Sequence, residues 1–136
     1  MNIPRHIVSA AVVIVNENND ILLIKGPKRG WEMPGGQVEE EEPLQEAAVR
    51  EVKEECGLII EITSYCGIFQ NVTRCICNHL FTARAVGGEV ITTPEALEVG
   101  YFSIEEVRER VTWGNFLERI EYCLDQNSQP FCVSFK

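Results

Sequence analysis

Gly36-Gln37-Val38-Glu39-Glu40-Glu41-Glu42-Pro43-Leu44-Gln45-Glu46-Ala47-Ala48-Val49-Arg50-Glu51-Val52-Lys53-Glu54-Glu55-Cys56-Gly57-Leu58 is the stretch that organises this chain. As backbone it reads as a loop, a helix and a stop. Pro43 suits a first helical position, where its missing N–H has no intrahelical partner in any case. Gly57 stands where a left-handed cap ends a helix. Between them Leu44, Ala48 and Val52 recur every fourth residue and form a narrow apolar stripe. The spacing predicts a helix over 43–56.

On such a helix Glu51 and Glu55 lie nearly one above the other, with Glu54 beside them. Three carboxylates in one patch repel, and a divalent cation turns that repulsion into coordination. Mg²⁺ is hard, prefers oxygen and takes a few carboxylates together with waters and substrate phosphates. Gly35-Gly36 just before the helix leaves a main-chain carbonyl free to serve as a further ligand and lets a diphosphate approach the backbone closely. Arg50 is expected to pair with Glu46 or Glu42, locking the loop onto the helix and facing away from the patch. Glu39, Glu40 and Glu41 are read as a solvated acidic run.

Outward from this segment, Ile7–Val15 and Ile21–Lys25 are apolar runs joined by Asn16-Glu17-Asn18-Asn19-Asp20, which predicts a hairpin. Trp31-Glu32-Met33 is a short extended piece, and Pro34-Gly35-Gly36 is expected to break regular structure. Leu58–Gln70 and Thr73–Val86 read as strands, with Gly87-Gly88 as a turn before a strand at Glu89–Thr92, and Leu97–Phe102 as another. Ser103-Ile104-Glu105-Glu106 is a capping box opening a helix to about Val111, and a second helix is expected over Asn115–Leu124. The tail from Gln126 carries no signal. The order predicts α/β architecture, a mixed sheet with helices packed on it.

The 136 residues suffice for one domain, taken as 1–136. The net charge of -9 argues against a general grip on DNA or RNA, which needs basic residues to displace counterions. Six cysteines lack both a secretion signal and zinc spacing, so they are read as reduced thiols of a cytoplasmic protein. No apolar run approaches transmembrane length. Lys28 and Arg29 are candidates to face phosphates, and Trp31, Phe69 and Tyr101 to stack on a base, although aromatic residues are more often packing. His6 and His79 are isolated.

The segment from Gly36 to Leu58 is similar to the Nudix box at every defined position: glycine, five spacers, Glu42, seven spacers, Arg50-Glu51, apolar Val52, Lys53, Glu54-Glu55, Cys56, Gly57 and apolar Leu58. Chance alone would give this on the order of once in ten million chains of this length. Trp31–Gly36 also resembles the approach to that box. The resemblance implies an α/β/α sandwich around a mixed sheet, and hydrolysis of a diphosphate bond in a nucleoside diphosphate linked to another group. It implies Mg²⁺ or Mn²⁺ on Glu51, Glu54 and Glu55, with the Gly36 carbonyl as a further ligand and Glu42 and Arg50 shaping the loop. The proton acceptor falls to Glu51 or Glu54, or to Glu98 outside the box, where Glu95 is its neighbour. Some subfamilies carry a marker after the box. Thr73 stands where ADP-ribose hydrolases often have proline, and Cys75 where dinucleoside polyphosphate hydrolases tend to have tyrosine.

A nucleoside triphosphate, ordinary or modified, giving a monophosphate and pyrophosphate is therefore the expected small-molecule substrate of a monomer or homodimer. The alternatives are an ADP-ribose or other NDP-X pyrophosphatase, a nucleotide sensor without catalysis, and an isoprenoid diphosphate isomerase using Cys66, Cys75 or Cys77. A sensor is expected to lose box carboxylates, and this chain keeps them all. An EF-hand is excluded by the missing alternating Asp/Asn ligands.

Overall fold

The computed structural model describes residues 2–136. Its elements in chain order are β1 (Ile7–Ile14), β2 (Ile21–Gly26), β3 (Gly30–Glu32), β4 (Gly35–Gln37), α1 (Leu44–Cys56), β5 (Leu58–Asn71), β6 (Ile76–Gly88), β7 (Glu98–Phe102), α2 (Ile104–Arg110), α3 (Phe116–Leu124) and β8 (Phe131–Phe135).

Every residue of β1 from Ala10 onward is buried, which requires cover on both faces of its sheet. Ala10, Val12 and Ile14 point to one core with Phe81, Ala83 and the α1 residues Ala47, Ala48, Val52 and Cys56. Ala11 and Val13 point to a second core with Leu80, Phe69, Val107 of α2, and Ile120 and Cys123 of α3. Period-two alternation in one strand thus sorts the helices into the two outer layers of an α/β/α sandwich. The central sheet has the order β4-β1-β6-β5-β8, with β1–β6 and β5–β8 parallel and the other pairs antiparallel. It is mixed, as expected. A second, antiparallel sheet, β3-β2-β7, joins both cores, β2 sending Leu22 and Ile24 to the first and Ile21 and Leu23 to the second.

Several local expectations change. The hairpin between β1 and β2 does not form: they share only a bridge at Val15 and Ile21. A strand has two edges, and those of β1 are taken by β4 and β6, while those of β2 are taken by β3 and β7. Pro34-Gly35-Gly36 does not break structure throughout, because Gly35–Gln37 pairs with Ala11, Ala10 and Ser9. Gly35 fits there because a Cβ would overlap the Ala10 carbonyl oxygen. Gly87 and Gly88 end β6 instead of turning, and Glu89–Thr92 has no strand. The tail folds into β8, parallel to β5; its partner is remote in sequence, so no local pattern announces it.

Helix α1 begins at Leu44 with Pro43 just before it, and Gly57 closes it at φ 82°. The capping box at Ser103 and Glu106 forms as read, each satisfying the other's backbone N–H.

Candidate active site

Edge strand β4 lies along the polar flank of α1, and Glu51 and Glu55 meet it there. Gly36 sits against the Glu51 carboxylate so closely that any Cβ would overlap it. The N–H of Gly35 donates to Oε1 of Glu55 at 2.8 Å. From the other side, the Thr93 hydroxyl donates to the Glu55 carbonyl oxygen at 2.9 Å and accepts from the backbone N–H of Glu95 and Ala96 at 3.3 and 3.1 Å. That fastens the turn Thr93–Ala96 to the end of α1 and brings Glu95 into the field of Glu51 and Glu55.

Arg50 donates from Nε and Nη2 to both oxygens of Glu42, at 2.7 and 2.9 Å, and from Nη2 to the Gln37 carbonyl at 3.1 Å. This fork clamps the loop onto the helix, with Glu42 and not Glu46 as the partner. Arg50 does not face away from the patch, however. Its Nη1 reaches Glu51 at 3.0 Å and Glu54 at 3.2 Å, because one planar guanidinium presents donors in two directions. Glu39, expected to be solvated, stands 3.7 Å from the same nitrogen.

The electrostatics follow. Burial pushes the Glu55 carboxyl up to about 8, with Glu51, Glu95 and Glu32 adding to the rise and the Gly35 N–H opposing it. Burial also raises Glu51, against the pull of Arg50. The hydrogen bonds from Arg50 hold Glu42 down at about 2. Burial raises Glu32 despite its ion pair with Arg29 at 3.1 Å.

The donor set is all oxygen, with a buried acid short of positive partners, which is the chemistry a hard divalent cation suits. As placed, no three such side chains among the described residues converge closely enough to enclose an ion. Glu51 and Glu54 are turned to Arg50 instead, and the Glu54 side chain, 59% exposed, is free to swing.

From this loop a cleft of about 650 Å³ runs across the β1–β6 face beneath the start of α3. Glu32, Gly35 and Gly36 line one end; Asn78, Asn115 and Arg119 line it further on. Arg119 donates from Nε to Asn115 Oδ1 at 2.8 Å and from Nη1 to Asn78 Oδ1 at 3.0 Å, and Asn78 Nδ2 donates to the Ser9 hydroxyl at 2.9 Å. The rings of Phe69, Phe116 and Phe135 stand 5.2–5.3 Å from its guanidinium carbon. Burial lowers Arg119 to about 10, with Arg29 nearby contributing. Sequence reading named Phe69 but missed Arg119, Asn115 and Asn78. Only the four-residue spacing of Asn115 and Arg119 on a helix hinted at the group.

Of the other sequence candidates, Arg29 lines the cleft. Lys28 is exposed and outside the lining. Trp31 packs edge-on against Phe102 at 5.0 Å, under Arg110, so its ring faces the protein. Glu98 is registered opposite Lys25 and pairs with it at 3.3 Å, away from the patch, while Glu95 stands near it. His79 bonds the Tyr65 hydroxyl at 2.9 Å.

A second hollow, of about 670 Å³, lies between α1 and β5, walled by apolar Leu44, Val49, Ile62 and Phe81. Glu46 is the one carboxylate in its lining, beside Arg50, so no group of acids gathers there. No helix among the described residues is long and apolar enough to cross a membrane.

The comparisons agree with this geometry. The family model of the NUDIX domain matches residues 5–120. A MutT-like protein from Streptomyces ambofaciens is 37% identical over 109 residues, 79% of this chain and 71% of that protein. An ADP-ribose pyrophosphatase from Methanocaldococcus jannaschii is 36% identical over 102 residues, 69% of this chain and 60% of its own length. An 8-oxo-dGDP phosphatase from Mus musculus is 34% identical over 98 residues, 66% of this chain but 30% of that protein. The crystal structure of a NUDIX hydrolase from Nitrosomonas europaea superposes with a TM-score of 0.84 over 98% of this chain and 81% of its own, at 22% identity, which speaks for the fold. Nudix hydrolases generally use divalent metals and act on small nucleotide substrates. With the box intact and the fold shared, the chain belongs to the Nudix family and is a Nudix hydrolase.

Proposed function

We propose that this chain hydrolyses a nucleoside triphosphate, ordinary or modified, to a monophosphate and pyrophosphate, with Mg²⁺ or Mn²⁺ on the α1 carboxylates. The observation that carries the reading is the meeting of Glu51 and Glu55 with Gly35-Gly36 at the mouth of a cleft sized for a nucleotide. Glu51, Glu54 and Glu55, with the Gly36 carbonyl, are the groups that would hold the cation. When bound, it supplies charge neutralisation at phosphate oxygens and a lowered pKa for the attacking water.

The chain's own residues do the rest. Gly35 and Gly36, without side chains, admit the phosphates to the main chain. Arg50 holds Glu42 through Nε and Nη2, separately from the Nη1 it gives to Glu51 and Glu54, and so keeps the loop in place. Arg29 lies at the cleft wall within reach of phosphate charge. The water's proton goes to a carboxylate of the patch, Glu51 or Glu54. If an acid outside the box takes part, Glu95 is better placed than Glu98, which Lys25 holds elsewhere.

An ADP-ribose type of substrate is the second reading, favoured by one relative's name. Residues 1–136 are read as one domain. A cytoplasmic location belongs to the same reading, supported by six free cysteines of the kind a reducing compartment keeps.

The test is product release from a panel of ordinary and oxidised triphosphates, ADP-ribose, NADH, dinucleoside polyphosphates and nucleotide sugars, with Mg²⁺ and with excess chelator. Chelator-sensitive cleavage of triphosphates at the α–β bond supports the reading. Cleavage confined to ADP-ribose moves it to the second, and binding without turnover of any of them refutes both.

A further inference from the structure

Arg119 lines the cleft whose other end is formed by Glu32, Gly35 and Gly36, the two glycines lying against Glu55 and Glu51, and the proposed hydrolysis gives it no role. A guanidinium only donates hydrogen bonds. Its bonds to Asn78 and Asn115 therefore fix both amides with their oxygens toward Arg119, and their amino groups must point elsewhere. One hydrogen of Asn78 goes to Ser9. Nη2 of Arg119 and the amino group of Asn115 bond no protein acceptor among the described residues. This stretch of cleft is consequently rich in unused donors. The bonds from Nε and Nη1 to the two asparagines fix the guanidinium plane, with three phenyl rings packed about it, so the remaining N–H groups form a fixed fork.

Such a fork matches two acceptors side by side. The O6 and N7 of a 6-oxopurine supply them; a 6-aminopurine instead turns an amino donor toward the same nitrogens. Resting on the reading that this cleft holds a nucleotide, we propose that Arg119, positioned by Asn78 and Asn115, is a specificity-determining residue that selects 6-oxopurine over 6-aminopurine nucleotides.

The test uses the whole chain with Mg²⁺ and the monophosphates GMP, IMP, AMP and 7-deaza-GMP, none of which has a diphosphate bond to cut, with binding followed by calorimetry. GMP and IMP are expected to bind alike, and both about tenfold or more tighter than AMP and 7-deaza-GMP, the loss typical of one bidentate base contact. In Arg119→Leu the four affinities are expected to converge. Should that variant misfold, the 7-deaza comparison in the unaltered protein still decides, since a merely structural Arg119 would not sense the loss of one ring acceptor. AMP binding as tightly as GMP, 7-deaza-GMP matching GMP, or no binding of any overturns the assignment.

Hydrolysis separates this from the broader reading. Chelator-sensitive cleavage of GTP and ATP with equal kcat/KM overturns the base selection and leaves the hydrolase standing. Selective binding of GMP and IMP with no turnover of any nucleotide does the reverse.

Discussion

In Glu55→Gln, stability and activity are expected to move in opposite directions. The Glu55 carboxyl is buried, 7% exposed, beside Glu51, Glu95 and Glu32, and its pKa stands at about 8 against an ordinary 4.5. A group whose folded pKa is raised contributes stability that is fully present below its unfolded pKa and is lost as pH rises through the folded one. In the metal-free protein that window runs from 4.5 to about 8. At about 1.4 kcal/mol per unit, the full cost of ionising Glu55 has a ceiling of about 5 kcal/mol. Neighbouring side chains rotate and water enters, so a value of about 2 kcal/mol is expected. Glutamine removes the charge but keeps an oxygen for the Gly35 N–H. With chelator present, Glu55→Gln should therefore melt higher than the parent protein by about 7 °C at the alkaline end of the window, and at the same temperature at the acid end. Adding Mg²⁺ should raise the parent's Tm and leave the variant's nearly unmoved, and the variant's turnover should fall by about a hundredfold or more. The assay is thermal unfolding across pH with and without Mg²⁺, beside nucleotide hydrolysis. A variant less stable than the parent at the alkaline end without metal, or one stabilised equally by Mg²⁺, would refute the reasoning.

Gly36→Ala places a methyl group where the Glu51 carboxylate lies, so Mg²⁺ affinity, read by titration, should drop about tenfold or more while the melting curve stays cooperative. Arg50→Lys keeps the charge but loses the fork to Glu42; faster proteolysis in the 37–43 loop and a kcat/KM about tenfold lower are expected. Glu95→Gln should lower kcat and shift the pH–rate profile, whereas Glu98→Gln, which only frees Lys25, should leave both within about twofold; the reverse ranking would return the outside carboxylate to Glu98.

Most of the site's carboxylates were legible because the helix carries its own geometry. Spacing within α1 sets which side chains share a flank, and Pro43 and Gly57 mark its ends, so Glu51, Glu54 and Glu55 could be grouped before any tertiary contact was known. Arg50 was half legible. A tie to Glu46 or Glu42 was expected, but the choice of Glu42 and the reach to Glu51 and Glu54 depend on where β4 presses the loop. Glu95 and Glu98 stand three residues apart in one segment, and only the Thr93 turn and the pairing of β7 with β2 send one to the patch and the other to Lys25.

By itself, then, the sequence determined what local rules decide: the acidic helix, its caps, the glycines before it, the capping box and the layered α/β class. The tertiary structure alone decided which strand edges meet. That choice split β1 from β2, turned Gly35–Gln37 into an edge strand and brought the unmarked tail in as β8. It also assembled Ser9, Asn78 and Arg119 from β1, β6 and α3 into one hydrogen-bonded chain. Helical contacts join residues three and four apart, whereas Asn78 and Arg119 lie 41 positions apart, and only the folding of the sheet beneath α3 brings them within reach.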